Sequence, residues 1–254
     1  MTDKKYIVDA SVAENQSLSD MYGLLKLRID NDSILSGIRP GQFVQVRIDG
    51  SASTFLRRPI SVCNVETDKH LLWLLIRKAG EGTAHLLKSA VGTSINLVLS
   101  LGNGFTLKDN ALLLGGGVGV APLLYLGKKI KNPTFLLAAK SASDLLLLDE
   151  FKALGKVYIA TDDGSLGEKG LITQHSILKS GIFSHYACCG PMPMMKAVAR
   201  VANEKGVDCE VSLENTMACG LGACLCCVED TKEKGHVCVC TDGPVFNVNQ
   251  LKWQ

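Results

Sequence analysis

The chain has 254 residues, enough for one large domain or two compact ones at roughly 100–200 residues per domain. Lys and Arg (27) almost balance Asp and Glu (25), and the net charge of +2 is not gathered into any basic run longer than pieces such as Lys128-Lys129, which argues against a nucleic-acid binder. With 46% apolar and 20% charged residues the chain can bury a large core and is not globally disordered.

Through the first part of the chain the apolar residues alternate instead of recurring at helical spacing. Strands are predicted over Lys5–Val12, Tyr22–Ile29, Gln42–Ile48, Ile60–Val65, Leu71–Arg77 and Ser94–Leu99, with turns at Pro40-Gly41, Asp49-Gly50 and Asp68-Lys69 and one short helix over Thr83–Ser89. Six strands and little helix predict a small antiparallel β-barrel over residues 1–106. The pattern changes near Leu107–Asn110. Ala111–Leu114 is an apolar strand running into a Gly-rich stretch, with Pro122 suited to the first turn of a helix. Strands over Thr134–Ala139, Val157–Ala160 and Tyr186–Cys188 alternate with helices near Asp144–Leu154 and Pro193–Lys205. This predicts an α/β domain with a parallel sheet over 107–213. Residues 214–254 show neither periodicity and are expected to be organised by whatever their cysteines bind.

The longest uncharged stretch, Asn110–Gly127, contains Gly115–Gly117, Gly119 and Pro122, and reads as strand, turn and helix rather than a membrane span. The N-terminus, Met1–Val8, has no signal-peptide core. A soluble, cytoplasmic chain with reduced thiols is expected, without nucleic-acid or membrane partners.

Of 10 cysteines, six fall between Cys219 and Cys240. Cys219, Cys224 and Cys227 make C-x4-C-x2-C, the plant-type [2Fe–2S] spacing, in which a tight loop wraps the cluster and a distant thiolate closes it. Gly220 and Gly222 leave backbone N–H groups open to bridging sulfides. Structural zinc is the alternative, although zinc sites favour paired C-x2-C knuckles; buried, unligated thiols are a third reading. Spacing alone leaves the fourth ligand ambiguous between Cys238 and Cys240. Cys226 and Cys238 are read as bystanders facing the core or tuning the surroundings.

Two further features accompany the barrel. Leu56-Arg-Arg-Pro-Ile-Ser61 opens a strand with Arg58 and Ser61 near one edge, where one side chain can pair with a pyrophosphate and the other donate to a flavin ring atom; a solvated arginine pair is the alternative. Arg77-Lys-Ala-Gly-Glu-Gly-Thr-Ala84 ends a strand in a turn whose N–H groups suit a diphosphate. In the second domain, Gly115-Gly-Gly-Val-Gly-Val-Ala-Pro122 lies between strand and helix, the context of a nucleotide-approach loop. No acidic residue follows about 20 positions on, where Lys140 lies nearer, so the ordinary NAD fingerprint fails. A tight crossover is the alternative. This loop, Thr161–Gly170 and Cys188–Met195 all follow predicted parallel strands, at the ends where open sheets bind ligands.

On these residues the chain resembles the ferredoxin–NADP reductase superfamily and, more closely, the electron-transfer subunits of NAD-linked (type B) dihydroorotate dehydrogenases. Arg58-Pro59-Ile60-Ser61 matches the flavin motif, with isoleucine where many reductases carry tyrosine. Gly82-Thr83 matches the flavin phosphate turn, and Leu75-Ile76-Arg77 the preceding strand. Leu101–Phe105, Gly115-Gly116-Gly117-Val118-Gly119 on to Pro122, Thr161-Asp162-Asp163-Gly164, Cys189-Gly190-Pro191 and the tail Glu214–Phe246 match as well. The departures are the doubled cysteines (Cys188-Cys189, Cys226-Cys227) and a short excursion before Cys240.

The resemblance implies FAD on the barrel, diffusible NAD rather than NADP on the α/β domain, and a [2Fe–2S] cluster on Cys219, Cys224, Cys227 and Cys240. Cys240 is selected because it precedes the family's x-Asp-Gly-Pro-Val-Phe stretch. No catalytic residue is assigned, and the five histidines form no spaced motif. Substrate oxidation is expected on an FMN-containing dihydroorotate dehydrogenase catalytic subunit, two of each chain. Electrons would run from dihydroorotate through FMN, cluster and FAD to NAD+ in pyrimidine (UMP) biosynthesis, with nicotinamide docking over the flavin. Rival expectations are a reductase subunit serving a ferredoxin, hydrogenase or sulfide dehydrogenase, and a zinc-stabilised nucleotide-binding assembly module; the related subunits of bifurcating ferredoxin–NADP reductases and sulfide dehydrogenases tend to place aspartate where Cys219 stands.

Overall fold

A computed structural model describes residues 4–51 and 53–253. Met1–Asp3, where the leader reading begins, and Ala52 and Gln254 lie outside the described residues. The chain divides into two compact units. The first holds the residues up to Gly104 with Glu214–Glu229 and His236–Pro244; the second holds Phe105–Leu213 with Asp230–Gly235 and the residues from Val245 on.

In the first unit, β1 (Tyr6–Ser17), β2 (Tyr22–Arg28), β3 (Phe43–Val46), β4 (Arg58–Glu66), β5 (Leu71–Arg77) and β6 (Ser94–Leu101) close into a barrel in the order β1-β2-β5-β4-β3-β6. Every neighbouring pair is antiparallel. Closure leaves no unpaired edge, and the alternating apolar residues, such as Leu25, Leu27, Leu72, Leu74, Leu97 and Leu99, are buried. A short helix, α1 (Asp32–Ser36), was not expected; Asn31 Oδ1 caps it by accepting the Ile34 N–H at 3.2 Å. The expected helix near Thr83 is α2 (Glu81–Leu86).

The second unit runs β7 (Leu112–Gly116), a 3-10 turn over Gly117–Val120, α3 (Ala121–Lys129), β8 (Thr134–Ala139), α4 (Leu148–Leu154), β9 (Lys156–Thr161), β10 (Glu168–Lys169), α5 (Ile177–Ser180), β11 (His185–Cys189), α6 (Met192–Lys205) and β12 (Asp208–Ser212). The tail adds a hairpin, β13 (Val228–Thr231) and β14 (Gly235–Cys238), then α7 (Val239–Asp242) and β15 (Val245–Asn247). The sheet order is β10-β9-β8-β7-β11-β12-β15, parallel throughout except for β15, which pairs antiparallel with β12. Strands β9-β8-β7-β11-β12 are a doubly wound core whose order reverses between β7 and β11, the place where such sheets open a ligand crevice. Leu112, Leu113 and Leu114 are fully buried, as a strand covered on both faces requires.

The helix predicted near Asp144–Leu154 is broken. A 3-10 turn covers Ala142–Asp144, and α4 starts only after Leu147, whose φ of 54° cannot continue a right-handed helix. Asn110–Gly127 folds as β7, turn and α3. Among the described residues no helix is long and apolar enough to cross a membrane.

Candidate functional site

Three sequence-predicted residues from two elements meet in the barrel unit. Arg58 at the head of β4 and Gly82 and Thr83 of α2 line a cleft of about 390 Å³ together with Ser53, Thr54, Ala79, Gly80 and Glu81. The Thr83 hydroxyl is committed to shaping the turn: it accepts the N–H groups of Ala79 (2.9 Å) and Gly80 (3.2 Å) and donates to the Gly80 carbonyl (3.0 Å). Helix geometry leaves the first-turn N–H groups of Gly82 and Thr83 without intrahelical carbonyls. A Cβ on Gly82 would lie 2.8 Å from Arg58 Nε and 3.0 Å from Thr54 Cγ2, so a larger residue there would displace the Arg58 side chain.

The structure also separates the two adjacent arginines. Arg57 donates to the carbonyls of Gln45 (3.3 Å) and Asn96 (3.1 Å) and to Asn96 Oδ1 (2.5 Å), so it clamps barrel strands together. Arg58 alone lines the cleft. A guanidinium and backbone N–H donors in one recess suit a diphosphate. Pro59, Ile60 and Ser61 continue along β4 opposite Gln45, Val44 and Phe43 and are half-buried. On β5, Leu75 and Ile76 are buried and Arg77 is exposed.

In the second unit the Gly-rich loops lie at the carboxyl ends of β7, β9 and β11. Gly115 and Gly116 end β7, and Gly117, Val118 and Gly119 form the turn into α3. A Cβ on Gly119 would stand 2.6 Å from both Cα and N of Gly190, and one on Gly116 would stand 2.6 Å from Met194 Sδ. The loops after β7 and β11 therefore touch backbone to backbone at the switch point, a contact only glycine permits. Cys189, fully buried, ends β11, and Pro191 precedes α6. After β9, the N–H groups of Asp162 and Asp163 donate to the carbonyls of Ala139 (3.1 Å) and Lys140 (3.2 Å). The Asp163 carboxylate accepts the Ser165 hydroxyl (2.6 Å) and N–H (2.9 Å), which holds it below the ordinary carboxylate range. Gly164 turns the chain at φ 77°.

The cysteine loop belongs to the barrel unit. Gly220 and Gly222 have φ of 70° and 80°, and their turns aim backbone N–H groups at sulfur. Leu221 donates to Cys219 Sγ (3.3 Å), Gly222 to Cys240 Sγ (3.1 Å) and Cys240 to Cys227 Sγ (3.4 Å). The Leu221 N–H is the main reason the Cys219 thiol is lowered to about 6; burial pushes Cys240 up. The Cys224 side chain helps lower the Cys219 thiol, and Cys227 helps raise those of Cys238 and Cys240. Cys240 is buried, Cys238 only half-buried, and Cys226 exposed.

Among the described residues no three His, Cys, Asp or Glu side chains are gathered to hold one ion. A cluster of two irons on four thiolates takes them in pairs, and sulfurs already receiving backbone N–H groups fit such a group. The tail is fastened at Leu101–Phe105: the Asn103 N–H donates to the Gly243 carbonyl (2.6 Å), Asn103 Nδ2 to the Asp242 carbonyl (3.0 Å), and Gly102 lies against Pro244.

Sequence reasoning passed over Gln45. Its polar side chain in Phe43-Val44-Gln45-Val46 reads as the solvent side of an alternating strand, yet it is fully buried and close to Gly220. Nothing local in the strand signals that a segment from the far end of the chain covers it.

A closed antiparallel barrel with an arginine-lined cleft, and a doubly wound sheet with a glycine-walled carboxyl edge, define an oxidoreductase of the ferredoxin–NADP reductase type. The solved structure of an NADH-dependent reduced ferredoxin–NADP oxidoreductase, described for flavin-based electron bifurcation, shares this architecture at a TM-score of 0.86 and 28% identity, over 96% of this chain and 90% of that one. Residues 214–252 match the iron–sulfur cluster binding domain of dihydroorotate dehydrogenase B. Among curated proteins, the electron transfer subunit of dihydroorotate dehydrogenase B (NAD(+)) from Shouchella clausii is 37% identical over 252 residues, covering 94% of this chain and 95% of the relative. Its counterpart from Caldanaerobacter subterraneus subsp. tengcongensis is 41% identical over 212 residues, 82% of this chain and 84% of the relative. The chain belongs to the family of electron-transfer subunits of dihydroorotate dehydrogenase B. The reductase fold supports binding of FAD and a nicotinamide nucleotide, and the match of residues 214–252 supports binding of an iron–sulfur cluster.

Proposed function

We propose that this chain delivers to NAD+ the electrons that a catalytic subunit containing FMN takes from dihydroorotate, a step of UMP synthesis, in a heterotetramer with two copies of each chain. The observation that carries this reading is a four-thiol loop with backbone N–H groups aimed at its sulfurs, joined in one chain to a flavin and nicotinamide reductase fold. When bound, nicotinamide takes a hydride, flavin exchanges one or two electrons, and a [2Fe–2S] cluster exchanges one at a time.

Residues 1–106 are assigned to FAD, 107–213 to NAD and 214–254 to the cluster. Arg58 neutralises the FAD diphosphate, and the Gly82 and Thr83 N–H groups supply the remaining donors. Pro59, Ile60 and Ser61, with Leu75, Ile76 and Arg77, border the rest of that cofactor. Gly115–Gly119, Asp162–Gly164 and Cys189–Pro191 wall the nucleotide with backbone. Cys219, Cys224, Cys227 and Cys240 ligate the cluster, while Cys226 and Cys238 stay unligated.

Co-purification from the source cell with an untagged partner tests the reading. Recovery of an FMN protein that oxidises dihydroorotate is expected; recovery of a hydrogenase, sulfide dehydrogenase or ferredoxin partner in its place would refute it.

A further inference from the structure

Gln45 lies in the middle of β3 and has no solvent exposure. Both its amide atoms, Nε2 and Oε1, are buried and lack a hydrogen-bond partner among the described residues. An amide buried in that way costs about 1–3 kcal/mol per unmet group, so a folded chain keeps one only where something else satisfies it. Its position shows where the side chain leads. A Cβ placed on Gly220 would lie 2.7 Å from Gln45 Nε2, 2.8 Å from Cγ and 3.2 Å from Cδ. The amide therefore reaches the residue next to Cys219, inside the C-x4-C-x2-C loop. Gly220 has two reasons to be glycine: its φ of 70° and the space that Gln45 occupies.

The same residue is bound into the barrel. Its Cα is paired with that of Pro59, inside the Arg58–Ser61 stretch, and its carbonyl accepts from Arg57. The other buried glutamine of this region, Gln42, accepts from the Arg39 N–H at 2.9 Å and donates to the Gly102 carbonyl at 2.9 Å, so its amide is employed structurally. Gln45 has the same burial without such partners.

We infer that the Gln45 side-chain amide is the barrel's hydrogen-bond donor to the iron–sulfur centre, acting as a positioning and potential-setting residue. The inference rests on the cluster reading above. Backbone N–H groups already serve the sulfurs of Cys219, Cys227 and Cys240. Gln45 adds a side-chain donor from a different element, fixed by a β-strand rather than by the loop itself. A donor to cluster sulfur favours the reduced, more negative state and raises its potential. Removing it makes the cluster harder to reduce, without taking away a ligand.

Two measurements on the assembled protein test this. In the first, glutamine side-chain amides of the wild type are labelled with 15N and the reduced cluster is examined by pulsed EPR. A 15N coupling to the cluster is expected, and it should vanish in Gln45→Met but persist in Gln42→Met. In the second, an EPR-monitored redox titration compares wild type with Gln45→Met, which keeps the side-chain length but has no N–H. The ratio of reduced to oxidised cluster at a fixed poise should fall about tenfold, equivalent to ~59 mV for one electron. An unchanged midpoint in a variant that retains its iron would overturn the inference, as would an absent 15N coupling in the wild type or a coupling to the flavin radical alone. Should Gln45→Met lose its cluster, the wild-type coupling decides by itself. Iron and sulfide content separates the two levels of failure: wild-type protein without iron refutes the cluster reading, whereas loaded protein without the coupling refutes only the role of Gln45.

Discussion

Adjacent arginines Arg57 and Arg58 should respond to alanine substitution in opposite ways. Arg58 lines the cleft, and on the function proposed above its guanidinium pairs with the FAD diphosphate. A hydrogen bond to a charged group contributes about 1.5–3 kcal/mol, so Arg58→Ala should weaken FAD binding by about 10- to 150-fold. The apoprotein should melt close to the wild type. Arg57 instead satisfies two backbone carbonyls and the Asn96 side chain. Its loss strands part-buried acceptors at a cost of about 2 kcal/mol, which lowers Tm by about 4–8 °C in a chain of this size. FAD affinity measured below the transition should stay within about threefold of the wild type, since under 1 kcal/mol of binding energy is in play. Flavin-fluorescence titration of apoprotein and apoprotein melting curves read the two effects separately. Wild-type FAD affinity in Arg58→Ala, or a loss of affinity in Arg57→Ala without loss of stability, would refute the separation of roles.

Serine in place of Cys219, Cys224, Cys227 or Cys240 should deplete iron, whereas serine at Cys226 or Cys238 should leave most of it; iron retained without Cys240 and lost without Cys238 reverses the assignment of the fourth ligand. Gly119→Ala forces a Cβ to 2.6 Å from Gly190, an overpacking cost of about 1–3 kcal/mol, and should raise KM for NADH in dye reduction roughly tenfold while FAD content is unchanged. His175 is buried, and its Nδ1 accepts the Ile177 N–H at 3.1 Å; burial lowers its pKa from the ordinary 6.5, against the attraction of Glu168. The neutral ring is thus the folded form, and stability held above pH 6.5 drains away as pH falls below it, because the unfolded chain takes up the proton first. In His175→Gln, melting curves between about pH 7 and 5 should lose part of that slope.

Strong local patterns made most of the architecture legible. Barrel strands alternate, and the strands of the parallel sheet are apolar runs such as Leu112–Leu114 and Phe135–Leu137, so both classes announce themselves within a few residues. What escaped prediction depends on distant partners. Strand β12, Asp-Cys-Glu-Val-Ser, is half polar and becomes a strand because β11 and β15 flank it, the latter from the end of the chain. Helix α1 has five residues, too few for a period, and its only local sign was the capping Asn31. The cysteine spacing and the Gly-rich loops carried the site, because each has its chemistry written into neighbouring residues. Gln45 could not be found that way: its importance lies in a contact with a residue far along the sequence, and its own strand makes it look like surface.

The central claim is that this chain conducts electrons to NAD+ and leaves dihydroorotate oxidation to its partner. Stopped-flow comparison of the isolated chain with the reconstituted complex tests it most directly. The isolated chain should pass electrons from NADH to artificial acceptors and leave dihydroorotate untouched. The complex should reduce NAD+ with dihydroorotate, and serine at a cluster cysteine should abolish that coupled reaction far more than the NADH–dye reaction. Oxidation of dihydroorotate by the isolated chain at the rate of the complex would contradict the account.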